Sequence, residues 1–397
     1  MRKRISMHSC TLRGFALALL MATGSVSAAA VFVPIAAEAA GVRPQVGKPL
    51  QAAIALANKG NSGGALAQVR QAESVSGLTA SERQAIDQTK QFIAAKTGNF
   101  SGGGGSATAA AAKFAADYNA GRYSAVTSED VQLLKKYGGF TAQDQIIVAQ
   151  AYYLSGRAAQ AVAYLQPLIS GAHPSEAALH LMYSAAYKVN DTAAMRSALE
   201  RLVSDYPKPE YWANLLQVTE GAKGLKDRQT LNLYRLRLRT GTMKTADDFM
   251  TAAEMALEFG SAPEAADIVQ KGLDAKVLSG DRVMKLLNTA KTQAATDEAN
   301  FAKTAAAAAK AKSGDDAVKL GVEMAGAGKG QDAINEIQQG IQKGVADKSD
   351  AQIQLGIAYL DAKQKDAAIK AFDAVPQSDA NGSMIAHLWS IYTRTSH

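Results

Sequence analysis

Ala149-Gln150-Ala151-Tyr152-Tyr153-Leu154-Ser155-Gly156, followed by Ala161, reads as one helix, a turn and the start of a second helix. The order returns at Leu355-Gly356-Ile357-Ala358-Tyr359, followed by Ala368 and Phe372. Turn positions fall at Gly60, Gly121, Gly156, Asp191, Gly224, Gly260, Gly328 and Lys363. From Gly121 onward the steps are 35, 35, 33, 36, 68 and 35 residues. A period of about 35 residues is one helix-turn-helix unit, and such units stack on their neighbours. The step of 68 predicts a degenerate turn near Ala294 or Ala295.

A small residue stands five places after each clear turn: Ala65, Ala161, Ala265, Ala333 and Ala368. A larger apolar residue follows four later: Val69, Leu165, Val269, Ile337 and Phe372. Glycine or a short polar residue permits a left-handed turn between helices. The small residue lets the second helix approach the first, and the larger one, on the same helical face, fills the space between units. Alternating runs that would argue for strands are missing from the sequence after residue 40, and prolines are few.

These positions resemble the tetratricopeptide repeat. Leu355, Gly356, Tyr359, Ala368 and Phe372 match its pattern, with Lys363 in place of the turn glycine; Tyr152, Gly156 and Ala161 match a second copy. Ala256 and Met324 stand where the family usually has Tyr. The resemblance spans roughly residues 49–376, strongly in two or three units; where it fades, other helix-pair repeats of similar period fit as well. The expected fold is all-α: repeats stacked in a right-handed solenoid, with a C-terminal capping helix over 377–397. The apolar stripe Ile385, Leu388, Trp389, Ile391 and Tyr392 suits that cap.

The N-terminus reads as a targeting segment. Arg2, Lys3, Arg4 and Arg13 precede an uncharged stretch from Gly14 to Ala37, and Ala37-Glu38-Ala39 is an A-x-A cleavage pattern. The expected organisation is a signal peptide over 1–40, N-terminal helices over 41–100, a glycine-rich loop over 101–106 (Ser-Gly-Gly-Gly-Gly-Ser), a main array over 107–376 and the cap. The alternative for residues 14–37 is an uncleaved inner-membrane anchor, for which the length suffices. Residues 1–39 carry four basic side chains and one acid, so cleavage lowers the formal charge from +7 to +4 and weakens a nucleic-acid reading. The single cysteine, Cys10, lies in the removed segment, so a mature chain would be stable through packing alone.

Catalytic signatures are missing. His173, His180, His387 and His397 are dispersed, with neither cysteine nor a His-Glu-x-x-His spacing, which argues against zinc. Gly326-Ala327-Gly328-Lys329-Gly330 fails the phosphate-loop pattern, since Glu323 stands at the first glycine position. No cofactor is expected, and the chain reads as a non-enzyme.

Two sets of residues are candidates for binding. In the repeat family the first helix of each pair lines a groove; the resemblance transfers its contact positions to Gln143, Gln150 and Tyr153, to Lys188, and to Asp247, Glu254 and Glu258. The second set belongs to a basic collar over Lys223 to Lys244, in which Arg235 and Arg239 share a helical face and Arg237 points elsewhere. The collar reads mainly as a solvated face, with Leu231 and Leu238 turned inward. The chain is thus expected to be a periplasmic or secreted scaffold that holds a protein partner, with anionic polysaccharide on Arg235 and Arg239 as the alternative. Nucleic acid is not an expected partner, and membrane contact would require the uncleaved anchor.

Overall fold

The left-handed turns fall where the sequence spacing puts them. Gly60, Gly121, Gly156, Gly224, Gly260 and Gly328 all have φ between 72° and 79°, and Lys363 has φ 61°. One turn is displaced by a residue: Asn190 (φ 58°) takes the left-handed position. Asp191 instead caps the next helix, accepting a hydrogen bond from the Ala194 amide at 3.0 Å. The alanines five places after the turns, Ala65, Ala161, Ala265, Ala333 and Ala368, are all fully buried, as are their larger partners Val69, Leu165, Val269, Ile337 and Phe372. Each large partner contributes about 1.5–3 kcal/mol by leaving water.

The computed structural model describes residues 42–97 and 107–396. The signal-peptide assignment over 1–40, the 101–106 loop and His397 lie outside the described residues. Within them the elements are helical, with no strand. The chain divides at Ala151 and Tyr152 into two compact units.

The first unit holds α1 (Pro44–Asn58), α2 (Ser62–Glu73), α3 (Ala80–Thr97), α4 (Ala107–Asn119), α5 (Tyr123–Ala125), a π turn (Val126–Asp130), α6 (Val131–Lys136) and the start of α7 (Ala142–Leu154). Val46, Leu50, Ala65, Val69, Ile86 and Ile93 pack α1, α2 and α3 together. Arg43 grips Glu82 with Nε at 2.8 Å and Nη2 at 3.0 Å. Those bonds hold the Glu82 carboxyl well below the usual carboxylate range. The π turn carries Asp130 into the interior, where Lys113 bridges it to Asp117; burial pushes the Asp130 carboxyl up.

The second unit contains the pairs α8 (Ala158–Ile169) with the end of α7, α9 (Glu176–Lys188) with α10 (Thr192–Asp205), α11 (Pro209–Glu220) with α12 (Asp227–Arg239), and α13 (Ala246–Glu258) with α14 (Ala262–Asp274). Then comes α15 (Asp281–Lys310), followed by α16 (Asp315–Gly326), α17 (Gly330–Lys343), α18 (Lys348–Asp361), α19 (Lys365–Asp373) and α20 (Ala380–Thr395).

The turn expected at Ala294 or Ala295 does not exist. Helix α15 runs unbroken for 30 residues, about 45 Å. No glycine or proline interrupts it, and Ala305 to Ala309 are strong helix formers. Its buried residues lie at both ends, Val283, Leu287 and Ala290 on one side and Phe301 and Ala308 on the other, while residues 291–300 are largely exposed. The start joins the core around Phe249 and Ile268; the end joins Leu320, Met324 and Ala333. One long helix therefore connects two strips of repeats.

The second strip folds back on the first. Helix α16 packs against α14, and α20 against both α12 and α10. Between them α18 is bonded to α12: Asn232 donates to Asp350 at 2.9 Å, Arg235 to Gln354 at 3.0 Å and Arg239 to Asp361 at 2.6 Å. The first helices of the returning strip thus face the second helices of the outgoing one. As a consequence α18 is buried on every side from Ser349 to Ala358. The expected cap is α20, and it also bridges the strips. Trp389 stacks on Phe372 at 6.0 Å, and Tyr392 meets Trp212 edge-on at 6.1 Å.

His387 on α20 lies 3.7 Å from Glu200 of α10, and that carboxylate raises the imidazole pKa. Arg394 opposes the shift and Asp373 adds to it. A raised folded value means the contact stabilises below the ordinary histidine range and is lost as pH rises through the folded value. His387→Gln is therefore expected to flatten the decline of melting temperature between about pH 6 and 8, read by calorimetry at each pH; an unchanged profile would assign the slope elsewhere.

Candidate functional site

The two candidate sets have different fates. The first-helix face of the outgoing strip stays open. On it Lys188 holds its ammonium over the Tyr153 ring, 5.1 Å from the centroid. Tyr183 and Tyr187, one turn apart on α9, sit 6.5 Å apart. Leu154 (40 % exposed), Tyr187 (47 %) and Val189 (39 %) present apolar surface to solvent beside them. Further along, Asp247, Glu254 and Glu258 are exposed on α13, with Glu254 paired to Arg282 of α15 at 2.8 Å. In the first unit Gln143 is exposed, and Gln150 accepts a hydrogen bond from the Tyr118 hydroxyl at 3.1 Å.

Between the aromatic and acidic ends lies a polar cluster that the sequence alone did not single out. His180 Nε2 is 2.7 Å from the Tyr211 hydroxyl, which hydrogen-bonds to Glu176, and Lys208 reaches the same carboxylate at 2.5 Å. Burial and the Glu176 contact push the Tyr211 phenol up to about 12, and burial lowers the His180 pKa. The signal was present: Glu176 and His180 are four apart, and Lys208 and Tyr211 fall one repeat later. The cluster joins α9 to α11. Among the described residues no group of three His, Cys, Asp or Glu could hold a metal.

The collar is placed differently from a solvated face. Arg235 is buried, with 9 % of its surface exposed. Its Nε and Nη2 each donate to Glu264 at 2.6 Å, and Nη1 donates to Asn232 and Gln354. Arg239 bonds Asp361 and covers the Trp389 ring at 5.5 Å. Arg237 points the other way, as helical spacing requires, to Glu220. Arg228 faces Asp350 at 3.5 Å and Lys226 faces Asp347 at 3.2 Å. Lys226, Arg228 and Arg239 pair with acids of the returning strip, and Arg235 reaches its Gln354, so these four form the outgoing strip's half of a polar seam. Leu231 is buried and Leu238 half-buried, as expected.

Gly326 to Gly330 form the left-handed turn between α16 and α17, with no strand before it. Gly356 carries out the close approach that the repeat pattern implies: a Cβ there would lie 2.3 Å from the Phe372 ring.

Stacked pairs of antiparallel helices, turned by left-handed residues and spaced by buried alanines, define a helical-repeat solenoid. The tetratricopeptide repeat model matches residues 350–381, the α18–α19 pair and the start of α20. That match supports a tetratricopeptide repeat in the α18–α19 pair, within a helical-repeat fold.

Solved structures similar to it include the APC/C hetero-tetramer Cut9-Hcn1, 10 % identical with a TM-score of 0.23, covering 80 % of this chain and 70 % of that one. The TPR domain of P58(IPK) is 14 % identical with a TM-score of 0.23, covering 87 % and 98 %. Naa15/Naa10 bound to HypK-THB is 12 % identical with a TM-score of 0.22, covering 86 % and 60 %. No curated protein sequence matches this chain.

Proposed function

We propose that this protein is a non-enzymatic scaffold of the bacterial cell envelope that holds a protein partner on the open first-helix face of its outgoing strip. The observation that carries the reading is the contrast between the two strips. The face of α16, α18 and α20 that a tetratricopeptide groove would use is covered by the chain's own α14, α12 and α10. The matching face of α9 and α13 is left uncovered and keeps exposed Tyr187, Lys188, Asp247, Glu254 and Glu258. An exposed tyrosine and lysine on α9, with acids further along on α13, suit an extended or helical segment of another protein.

The envelope location is supported by the basic, apolar and Ala-x-Ala order of residues 1–40. No helix among the described residues is long and apolar enough to cross a membrane. Polysaccharide capture by Arg235 and Arg239 has no comparable support, since both guanidinium groups are engaged by Glu264 and Asp361.

Tyr187→Ala with Lys188→Glu is expected to leave the melting temperature within about 2 °C, because both side chains are exposed. The same variant is expected to lose a partner that wild type retains in affinity purification from envelope extracts. Equal recovery by wild type and variant would overturn the assignment of this face.

A further inference from the structure

The seam between the strips encloses a cavity of about 280 Å³. Helix α12, the α13–α14 turn, α16 and the α17–α18 connection surround it. Leu231, Phe259, Val318, Val322 and Val345 form an apolar wall. The charged lining is Arg228, Arg235 and Lys319 against Asp315, Asp347 and Asp350.

The two signs are not equally satisfied. Asp315 accepts from the Ala346 amide at 3.0 Å and from Ser313 at 2.9 Å. Asp347 accepts from the Asp350 amide at 2.9 Å and from Lys226 at 3.2 Å. Asp350 accepts from Asn232 and Gln354 at 2.9 and 3.0 Å. Arg235 spends four of its five donors on Glu264, Asn232 and Gln354.

Arg228 and Lys319 differ. Arg228 approaches Asp350 at 3.5 Å and stands over Phe259, 4.5 Å from its centroid. Lys319 is 4.0 Å from Glu323, beyond hydrogen-bonding range, and burial raises that carboxyl to about 7. Near neutral pH Glu323 therefore neutralises Lys319 only in part. Two half-exposed cations without a short hydrogen bond thus stand at the rim of an apolar cavity, where Asp315, Asp347 and Oδ1 of Asp350 already have donors and Oδ2 of Asp350 faces Arg228. Such cations beside apolar walls favour an anion attached to a small apolar body.

We propose that this seam cavity binds a small apolar carboxylate. The carboxylate bridges Arg228 and Lys319, and its body lies against Phe259, Val318 and Val322. The site lies between a second helix of one strip and a first helix of the other, away from the open face assigned to the protein partner. A bound ligand touches both strips and so favours the folded-back arrangement.

The test uses the full chain and sodium phenylacetate, with phenylacetamide as the neutral shape-matched control, in ligand-observed NMR and calorimetric titration. The acid is expected to bind about tenfold or more tightly than the amide, with a millimolar or lower dissociation constant. Lys319→Met and Arg228→Met are each expected to remove that preference while leaving amide binding unchanged. Val322→Phe, which fills the cavity from a half-buried position, is expected to abolish binding of both compounds. Equal binding of acid and amide, insensitivity of acid binding to both cation substitutions, or no binding of either compound at about 10 mM would each overturn the proposal. The melting temperature of each variant without ligand separates a lost site from a lost fold.

Discussion

Arg235→Met is expected to lower the unfolding free energy of the full chain by about 3–5 kcal/mol, the penalty for stranding a buried partner. The partner is Glu264, held by two charge-assisted bonds of 2.6 Å. Burial alone would raise the Glu264 carboxyl, yet Arg235 holds it below its ordinary value. The sign of the pH dependence follows. In wild type the depressed folded value gives stability that is present above the ordinary carboxylate range and lost as pH falls through the folded value. In the variant, burial is opposed only by Ser261 and Arg239, and the folded carboxyl is expected to rise above its unfolded value. Stability is then gained as pH falls from about 7 to 5.

Urea titrations of both proteins between about pH 5 and 8 should show opposite slopes at the acidic end. Arg235→Met combined with Glu264→Gln should recover part of the loss, because no buried charge is left alone. A loss below about 1 kcal/mol would instead place Arg235 with exposed ion pairs. Arg239→Met makes a useful contrast: its partner Asp361 is more exposed, so the expected loss is about 1 kcal/mol or less for the ion pair, apart from packing on Trp389.

What the sequence made legible was the local part of the fold. Gly60, Gly156, Gly260 and Gly328 mark turns because glycine tolerates positive φ, and Ala161 or Ala368 marks a close approach because nothing larger fits. Both constraints act within a dozen residues, so a period exposes them. Lys363 and Asn190 adopt the same conformation without glycine; the pattern placed the first of these turns correctly and missed the second by one residue, at Asp191. The straight course of α15 was hidden for the opposite reason. A step of 68 residues fits two units by arithmetic, but no turn residue exists to divide it, and helix formers win by default.

The fold-back depends on pairings more than 100 residues apart, which no period reports. Two signals were nevertheless present. Leu231, Leu233 and Leu236 are all buried on α12, too many directions for a helix with one apolar stripe. The spacing of Arg228, Asn232, Arg235 and Arg239 also answers that of Asp350, Gln354 and Asp361 on α18. A basic helix with leucines on several faces is covered on several faces, and its charges are met by the chain itself. The groove positions on α9 and α13 were legible as positions because the repeat register carries them. Whether each lay open or covered was not, because the seam decides that.

Among the described glycines, Gly314→Ala is expected to be the most damaging substitution by alanine. Gly314 stands at the corner where α15 ends and the returning strip begins, and its backbone φ of −88° is ordinary, so conformational strain is not the issue. Space is. A Cβ there would lie 1.8 Å from the Gly340 carbonyl oxygen, and a Cβ on Gly340 would lie 2.6 Å from that of Gly314. Backbone meets backbone, so no side chain can rotate away. The corner is also tied by hydrogen bonds that a shift would break: the Gly314 amide donates to the Gly344 carbonyl at 2.7 Å, and Lys343 caps the Ala308 and Ala309 carbonyls at 2.9 Å.

Overpacking of a well-filled core typically costs about 1–3 kcal/mol, and a contact with no yielding partner belongs at or above the upper end. Because α16 must start at this corner to reach α14, the loss should spread along the seam: hydrogen exchange of α16, α18 and α20 amides should accelerate in Gly314→Ala while α1 to α3 remain as protected as before. Gly63→Ala is the matched control, since a Cβ at that helical glycine meets nothing within 4 Å, and it should be neutral or stabilising by up to about 1 kcal/mol. Equal stability of the Gly314 and Gly63 variants would mean that the start of α16 and the end of α17 do not approach each other as closely as the corner requires.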